Sequence, residues 1–283
     1  MLLQAREGET AIAEEETSEA SEKRVEMRLL TPTLYPIFIV HYNKLTTRKQ
    51  VLQRSLASQG LSVTNWQTLD RSALTPADRL RFDSSQHAAI CANFLSHEAS
   101  WQELVHSKFE FALVLEDDAD TKDLSVNTNM IIRRLRPHHW GMVFLGTCHH
   151  NHPSKITIMG HLASHPDWKL GGPAPYLVNR GTGVGPDGLK MKPKSRCTQS
   201  YLISRAFAKN LLVFSKSRKI SLAIDHWLNT AFYQLRPEVQ ATLIEKEEAA
   251  IYWAEPSFAN QLVVGHIIHS YRPDMKNPKG HER

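Results

Sequence analysis

The sequence predicts an α/β protein, a Rossmann-like sandwich with a mainly parallel central sheet. Three observations predict it. Short β-branched apolar runs alternate along the chain with longer stretches of helical periodicity. The run FALVLE (residues 111–116) has too many consecutive apolar residues to be half exposed, so it reads as a central strand. That strand runs straight into EDDAD (116–120), four acids in five positions, at the C-terminal strand end beyond which such sheets bind their ligands.

Taken in order, YPIFIVHY (35–42) reads as a buried first strand. LTTRKQVLQRSLASQG then reads as a helix with Thr46 or Thr47 as cap, Leu45, Val51, Leu52 and Leu56 as its apolar face, and Gly60 as its stop. LSVTNWQTLD reads as a second strand, which completes the opening of a βαβ unit. In HAAICANFLSHEASWQELVHS, Phe94, Leu95, Trp101, Leu104 and Val105 recur at helical spacing and predict a long amphipathic helix. The acid-tipped strand follows, then GMVFLG (141–146) as a fourth. Periodicity disappears over about fifty residues rich in Pro and Gly, a length that suits a binding loop or lid. TQSYLISRAFAKNLLVFS then reads as strand and helix, AIDHWLNTAFYQL as a helix and AAIYWAEP as a late strand. The expected organisation is an acidic leader (1–30), disordered or an exposed helix, one domain (31–273) carrying the long loop 147–197, and a basic tail (274–283).

Composition narrows the class. The chain has 283 residues, a net charge of +5, 41% hydrophobic and 22% charged residues, so a sizeable core can be buried. The basic excess is scattered, and no basic stripe interleaved with aromatics points to nucleic acid. No apolar run reaches bilayer length and no secretory signal is visible, so no transmembrane segment is expected. Three cysteines without CxxC spacing argue against a disulfide framework and suit a reducing, cytoplasmic setting, with membrane-peripheral or lumenal placement as alternatives.

Glu116, Asp117, Asp118 and Asp120 repel one another, and a hard divalent cation would remove the conflict. Glu116 and Asp118 have the i, i+2 spacing that points both side chains one way from an extended chain, with Asp117 opposite unless the strand turns there. An exposed acidic turn is the competing reading.

The chain also resembles glycosyltransferase family 25, the group containing lipooligosaccharide and procollagen galactosyltransferases. Four blocks carry the likeness in order: IFIVHYNKLTTRKQVL; FLSHEASWQELVHSKFEFALVLEDDAD; TQSYLISRAFAKNLL; and AIDHWLN with YWAEPSFANQ. The resemblance implies a GT-A-type nucleotide-diphospho-sugar transferase fold, a UDP-galactose or UDP-glucose donor, Mn²⁺ (or Mg²⁺), and a glycan or hydroxylated peptide acceptor. It places the metal role on Asp118 and Glu116 and a ribose contact on Asp117. Inverting transfer, also implied, needs a general base. Asp225 matches the family's Asp, with His226 as a weaker alternative and a helix-capping role for Asp225 equally open. Arg48 matches the family's Arg and would touch the nucleotide, unless it is a solvated helix charge. The "SH" pair Ser96 and His97 is kept near the donor, although a mid-helix His is more often structural. His269 is a metal-ligand candidate because a late His serves that role in some GT-A enzymes. Asp70, ending the second strand, is a candidate for the base or ribose and equally a turn former. Thr198-Gln199-Ser200 departs from the small Gly-Ala-type lead-in of many relatives, which puts the sugar pocket in question.

Two motifs mislead. CHHNHP (148–153) resembles a zinc site but has no second ligand pair. GTGVGPDG (181–188) resembles a phosphate loop without the flanking strand and helix, and reads instead as a lid, with Lys190, Lys192 and Lys194 as phosphate contacts. The rival functions are a catalytically silent nucleotide-sugar-binding scaffold and a nucleotidyltransferase. The absence of glycine from HYNKLTTRK counts against the second.

Overall fold

The structure, a computed structural model, describes residues 35–135, 140–146, 169–170, 176–179, 197–243, 251–255 and 259. The leader, the tail, His269 and most of the segment 147–197, including CHHNHP, GTGVGPDG and its three lysines, lie outside these residues.

The elements in chain order are β1 (Ile37–Val40), α1 (Thr46–Ala57), β2 (Asn65–Gln67), a 3₁₀ turn (Arg71–Ala73), α2 (Pro76–Leu80), α3 (Ala88–His106), β3 (Phe111–Glu116), α4 (Leu124–Leu135), β4 (Met142–Phe144), β5 (Lys169–Leu170), β6 (Tyr176–Asn179), β7 (Ser200–Ser204), α5 (Arg205–Lys216), α6 (Ile224–Leu243) and β8 (Ile251–Glu255). The strands form one sheet in the order β2-β1-β3-β7-β4-β8-β6-β5. β1 runs parallel to β2 and β3, and β4 parallel to β8. β7 is antiparallel between β3 and β4, and the β5–β6 hairpin adds antiparallel to β8. The central part, β2 to β8, is therefore mostly parallel with β7 reversed, and the hairpin makes the full sheet mixed.

Period-two alternation sorts the sheet's side chains into two cores. Phe38 and Val40 of β1, Ala112 and Val114 of β3, and Tyr201 and Ile203 of β7 face α3, α5 and α6. Ile37, Ile39, Leu113, Leu115 and Leu202 face α1 and α4. Both faces of the central strands are thus apolar, which is why FALVLE shows no alternation. Each fully buried large apolar side chain contributes roughly 1.5–3 kcal/mol. The aromatic layer of Phe94, Trp101 and Trp227 anchors α3 against α6 through near-perpendicular and stacked ring contacts. Glu98, on the inner face of α3, receives two 2.6 Å bonds from Arg81 and one of 2.5 Å from Ser215, tying α2, α3 and α5 together.

Several expectations change. Neither Thr46 nor Thr47 caps α1; Leu45 occupies the cap position with no side-chain bond. The reason is the preceding turn: Leu45 N–H bonds to Tyr42 C=O, so both threonines already lie inside the first turn. Val51 is 52% exposed, which leaves Leu52 and Leu56 to bury that helix. Gly60 does stop the segment, at φ 70°. The segment expected to be an aperiodic loop contains β5 and β6, because YLVN finds a pairing edge on β8 that no local pattern announces. Cys91 is a buried free thiol, but Cys197 is disulfide-bonded, a pairing the sparse cysteine count argued against.

Candidate active site

β3 ends at Glu116 in a tight turn. Ala119 N–H closes it onto Glu116 C=O at 3.1 Å, while Asp117 N–H bonds across to Val40 C=O at 3.1 Å. The turn cancels the alternation that would send Asp117 to the opposite face. Glu116, Asp117 and Asp118 all line one cavity of about 240 Å³ over the C-terminal ends of β1 and β3. Its other walls come from His41 and Tyr42 after β1, Leu45 at the cap of α1 and Arg48 in its first turn, Leu69 and Arg71 after β2, and Ala89, Ala92, Asn93 and Ser96 of α3. Small residues on α3 leave the room, and the parallel β1–β3 pair brings the two loops together.

Donors from the protein itself hold this acid cluster. The Asp117 carboxylate accepts from His41 Nδ1 at 2.9 Å, from the Tyr42 N–H at 3.3 Å and from Arg48 Nη1 at 3.0 Å. A carboxylate only accepts, so His41 carries its proton on Nδ1 in this pair. The same Arg48 nitrogen lies 3.6 Å from Asp118 Oδ2. Glu116 Oε1 accepts from the Thr198 hydroxyl at 2.6 Å and pairs with His97 Nε2 at 3.1 Å. The mutual repulsion that suggested a cation is therefore already offset in large part by Arg48 and these donors.

The residues singled out in the sequence are placed as follows. Arg48, Ser96, Glu116, Asp117 and Asp118 line the cavity together. His97 sits directly behind Glu116 and is fully buried. Ser96 turns its hydroxyl back to Ala92 C=O at 2.9 Å. Asp70 caps the 3₁₀ turn, accepting from the Ser72 N–H and hydroxyl at 2.8 Å each, and these bonds hold its carboxyl below the usual range. It flanks Leu69 and Arg71 without lining the cavity itself. Asp225 lies in the first turn of α6, with its carboxylate 3.9 Å from the exposed His226 ring, and is not a wall of the cavity.

Sequence reasoning did not single out His41, Arg71, Asn93 or Tyr201, and named Thr198 only as a departure from the family's lead-in to β7. His41 stands inside the first block as the last residues of a strand whose neighbour ends in acids, which is the only sequence signal it had. Asn93 is one helical turn before His97, and its Oδ1 is buried with no hydrogen-bond partner among the described residues. An amide acceptor left in that state beside a cavity is suited to a ligand's N–H or O–H.

Comparison with known proteins decides the family. The model of glycosyltransferase family 25 (LPS biosynthesis protein) matches residues 35–228, more than half of the chain. The chain belongs to glycosyltransferase family 25. No curated protein matches it. The matched span contains every residue of the cavity wall, and membership implies sugar donor and acceptor substrates.

For this glycosyltransferase a metal must be weighed against the side chains present. Among the described residues no group of three or more His, Cys, Asp or Glu side chains could hold an ion. Of the three carboxylates lining the cavity, Asp117 is engaged by His41, Tyr42 and Arg48, and Glu116 and Asp118 remain for an ion. That set fits a hard cation shared with substrate phosphates, which needs only one or two protein carboxylates, and does not fit an all-protein cage. No helix among the described residues is long and apolar enough to cross a membrane.

Proposed function

We propose that this family 25 glycosyltransferase has a GT-A-type fold and transfers galactose or glucose from a UDP-sugar to a hydroxyl of a glycan or hydroxylated peptide, with inversion and with Mn²⁺ or Mg²⁺. One observation carries the reading: at the C-terminal strand ends, a cavity has Arg48 and Arg71 beside the carboxylates of Glu116, Asp117 and Asp118. A diphosphate needs such cationic groups, and ribose hydroxyls need acceptors.

In this reading Arg48 and Arg71 attract the diphosphate. Arg48 also keeps Asp117 in place, and Asp117 presents the carboxylate edge to the ribose. The Asn93 amide reads a polar edge of the nucleoside. Glu116 and Asp118 would hold the divalent cation, which when bound supplies charge stabilisation for the departing UDP. Asp225 takes the proton from the acceptor hydroxyl. Its place outside the cavity wall suits a group that meets the acceptor and not the nucleotide. For the compartment, the Cys197 disulfide favours the lumenal alternative over the cytoplasm.

Calorimetry with UDP, with and without Mn²⁺, tests the reading. The expected result is binding that tightens with the ion and loses that increment in Asp118→Ala. Equal affinity in all four combinations refutes the assignment of Asp118 and of the ion.

A further inference from the structure

We propose that Trp101, His97 and Tyr201 are positioning residues: they form a one-way hydrogen-bond chain that fixes one oxygen of Glu116 and leaves the other for the ligand. The proposal rests on the donor-site reading above. The three groups are fully buried and come from α3 and β7, while Glu116 ends β3. Trp101 Nε1 lies 3.0 Å from Tyr201 Oη, Tyr201 Oη 2.8 Å from His97 Nδ1, and His97 Nε2 3.1 Å from Glu116 Oε1.

The chemistry of each group sets the direction of the chain. An indole N–H can only donate, so Tyr201 Oη accepts from Trp101. A carboxylate can only accept, so His97 carries hydrogen on Nε2 and gives it to Glu116. Among the described residues Tyr201 Oη has only His97 Nδ1 to donate its single hydrogen to, so Nδ1 is the bare nitrogen. Every donor in the chain is used once and every acceptor is filled. Thr198 adds a second hydrogen bond to the same Oε1 at 2.6 Å, from the segment leading into β7. Two donors from different elements fix the rotation of the carboxylate. Among the described residues Oε2 takes no hydrogen bond, and Glu116 lines the cavity.

Packing alone does not call for this arrangement. Phenylalanine at 201 and leucine at 97 would fill an apolar layer without burying polar groups, and a buried polar chain is favourable only when it is complete. A chain that is complete and ends on a carboxylate at the cavity is instead what holding that carboxylate still requires. It also explains why SHEASW, LEDD and TQSY, three separate stretches of sequence, meet at one point.

The test uses the full-length protein. In ¹⁵N spectra of the imidazoles, His97 is expected as the Nε2–H tautomer with Nδ1 bare. His97→Leu is expected to lower kcat for UDP-sugar turnover by about 10–100-fold, the usual effect of losing a group that orients a ligand-binding side chain. Affinity for UDP alone, without ion, stays near that of the unsubstituted protein. His97→Gln, which keeps an N–H toward Glu116, restores most of the loss. Tyr201→Phe keeps the packing, and is expected to mix the two tautomers and to lower kcat severalfold. An Nδ1–H tautomer, a His97→Leu enzyme with unchanged kcat, or a His97→Gln enzyme no better than His97→Leu overturns the proposal. Should His97→Leu fail to fold, a Tyr201→Phe enzyme with unaltered tautomer and kcat overturns it equally. Absence of UDP-sugar turnover in the unsubstituted protein would instead sink the donor reading, and the tautomer would then decide the chain by itself.

Discussion

Arg48 reaches two of the three acids from a single nitrogen, 3.0 Å from Asp117 and 3.6 Å from Asp118. Its removal leaves two neighbouring carboxylates with less compensation and strips the cavity of a cation. Arg48→Ala is expected to weaken UDP binding by about tenfold or more, given that hydrogen bonds to charged groups contribute ~1.5–3 kcal/mol. Arg48→Lys recovers only part, because an ammonium lacks the planar fork. Calorimetry measures both. At this scale the acids were legible in the sequence, since four carboxylates at the end of an apolar strand are hard to place elsewhere. Their partners were not. His41 and Thr198 are 76 and 82 positions away from Asp117 and Glu116 along the chain, and the β1–β3 and β3–β7 pairings bring them near. Asp225 tests a different role: Asp225→Asn is expected to lower turnover while UDP affinity holds, and normal turnover would leave it a helix-end charge.

Among the elements, α3 carries the most. One side supplies the small cavity wall and the buried His97, and another supplies Glu98 with its bonds to Arg81 and Ser215. Breaking a buried pair by removing one partner costs about 3–5 kcal/mol, so Glu98→Ala should lower the denaturation midpoint sharply. Denaturant unfolding followed by circular dichroism reads this directly. Just after β4, Gly146 passes so close to Ala259 C=O that an added Cβ would collide with it. Gly146→Ala should therefore cost about 1–3 kcal/mol through forced movement of that segment. The strands and long helices were readable because their apolar residues recur at period two or 3.6. α4 was passed over because SVNTN has poor intrinsic helix propensity; Ile131, Ile132 and Leu135 packing on the sheet stabilise it instead. β6 was unreadable for the same kind of reason, since its partner strand lies more than seventy residues later.

Across the whole molecule, the sheet with helices on both faces sets both stability and function. Tyr35 illustrates the first. Its hydroxyl is buried without a hydrogen-bond partner among the described residues, and burial pushes its pKa from 10.0 up to about 12. The unfolded chain gives up this proton near pH 10, earlier than the folded one does. The stability linked to it is complete below pH 10 and is lost as pH rises toward 12. Burial pushes Tyr201 in the same direction. Tyr35→Phe should flatten part of this alkaline decline and raise stability at neutral pH by about 1–3 kcal/mol, as removal of an unmatched buried hydroxyl does. Thermal melts from below pH 10 up to about pH 12 would show it. Function depends on the same sheet delivering β1, β3 and α3 to one cavity. The most direct measurement of that claim is a crystal structure with UDP and Mn²⁺ bound. The account predicts the diphosphate against Arg48, with Glu116 and Asp118 toward the ion. A nucleotide bound elsewhere, with the turn 116–118 untouched, would contradict it.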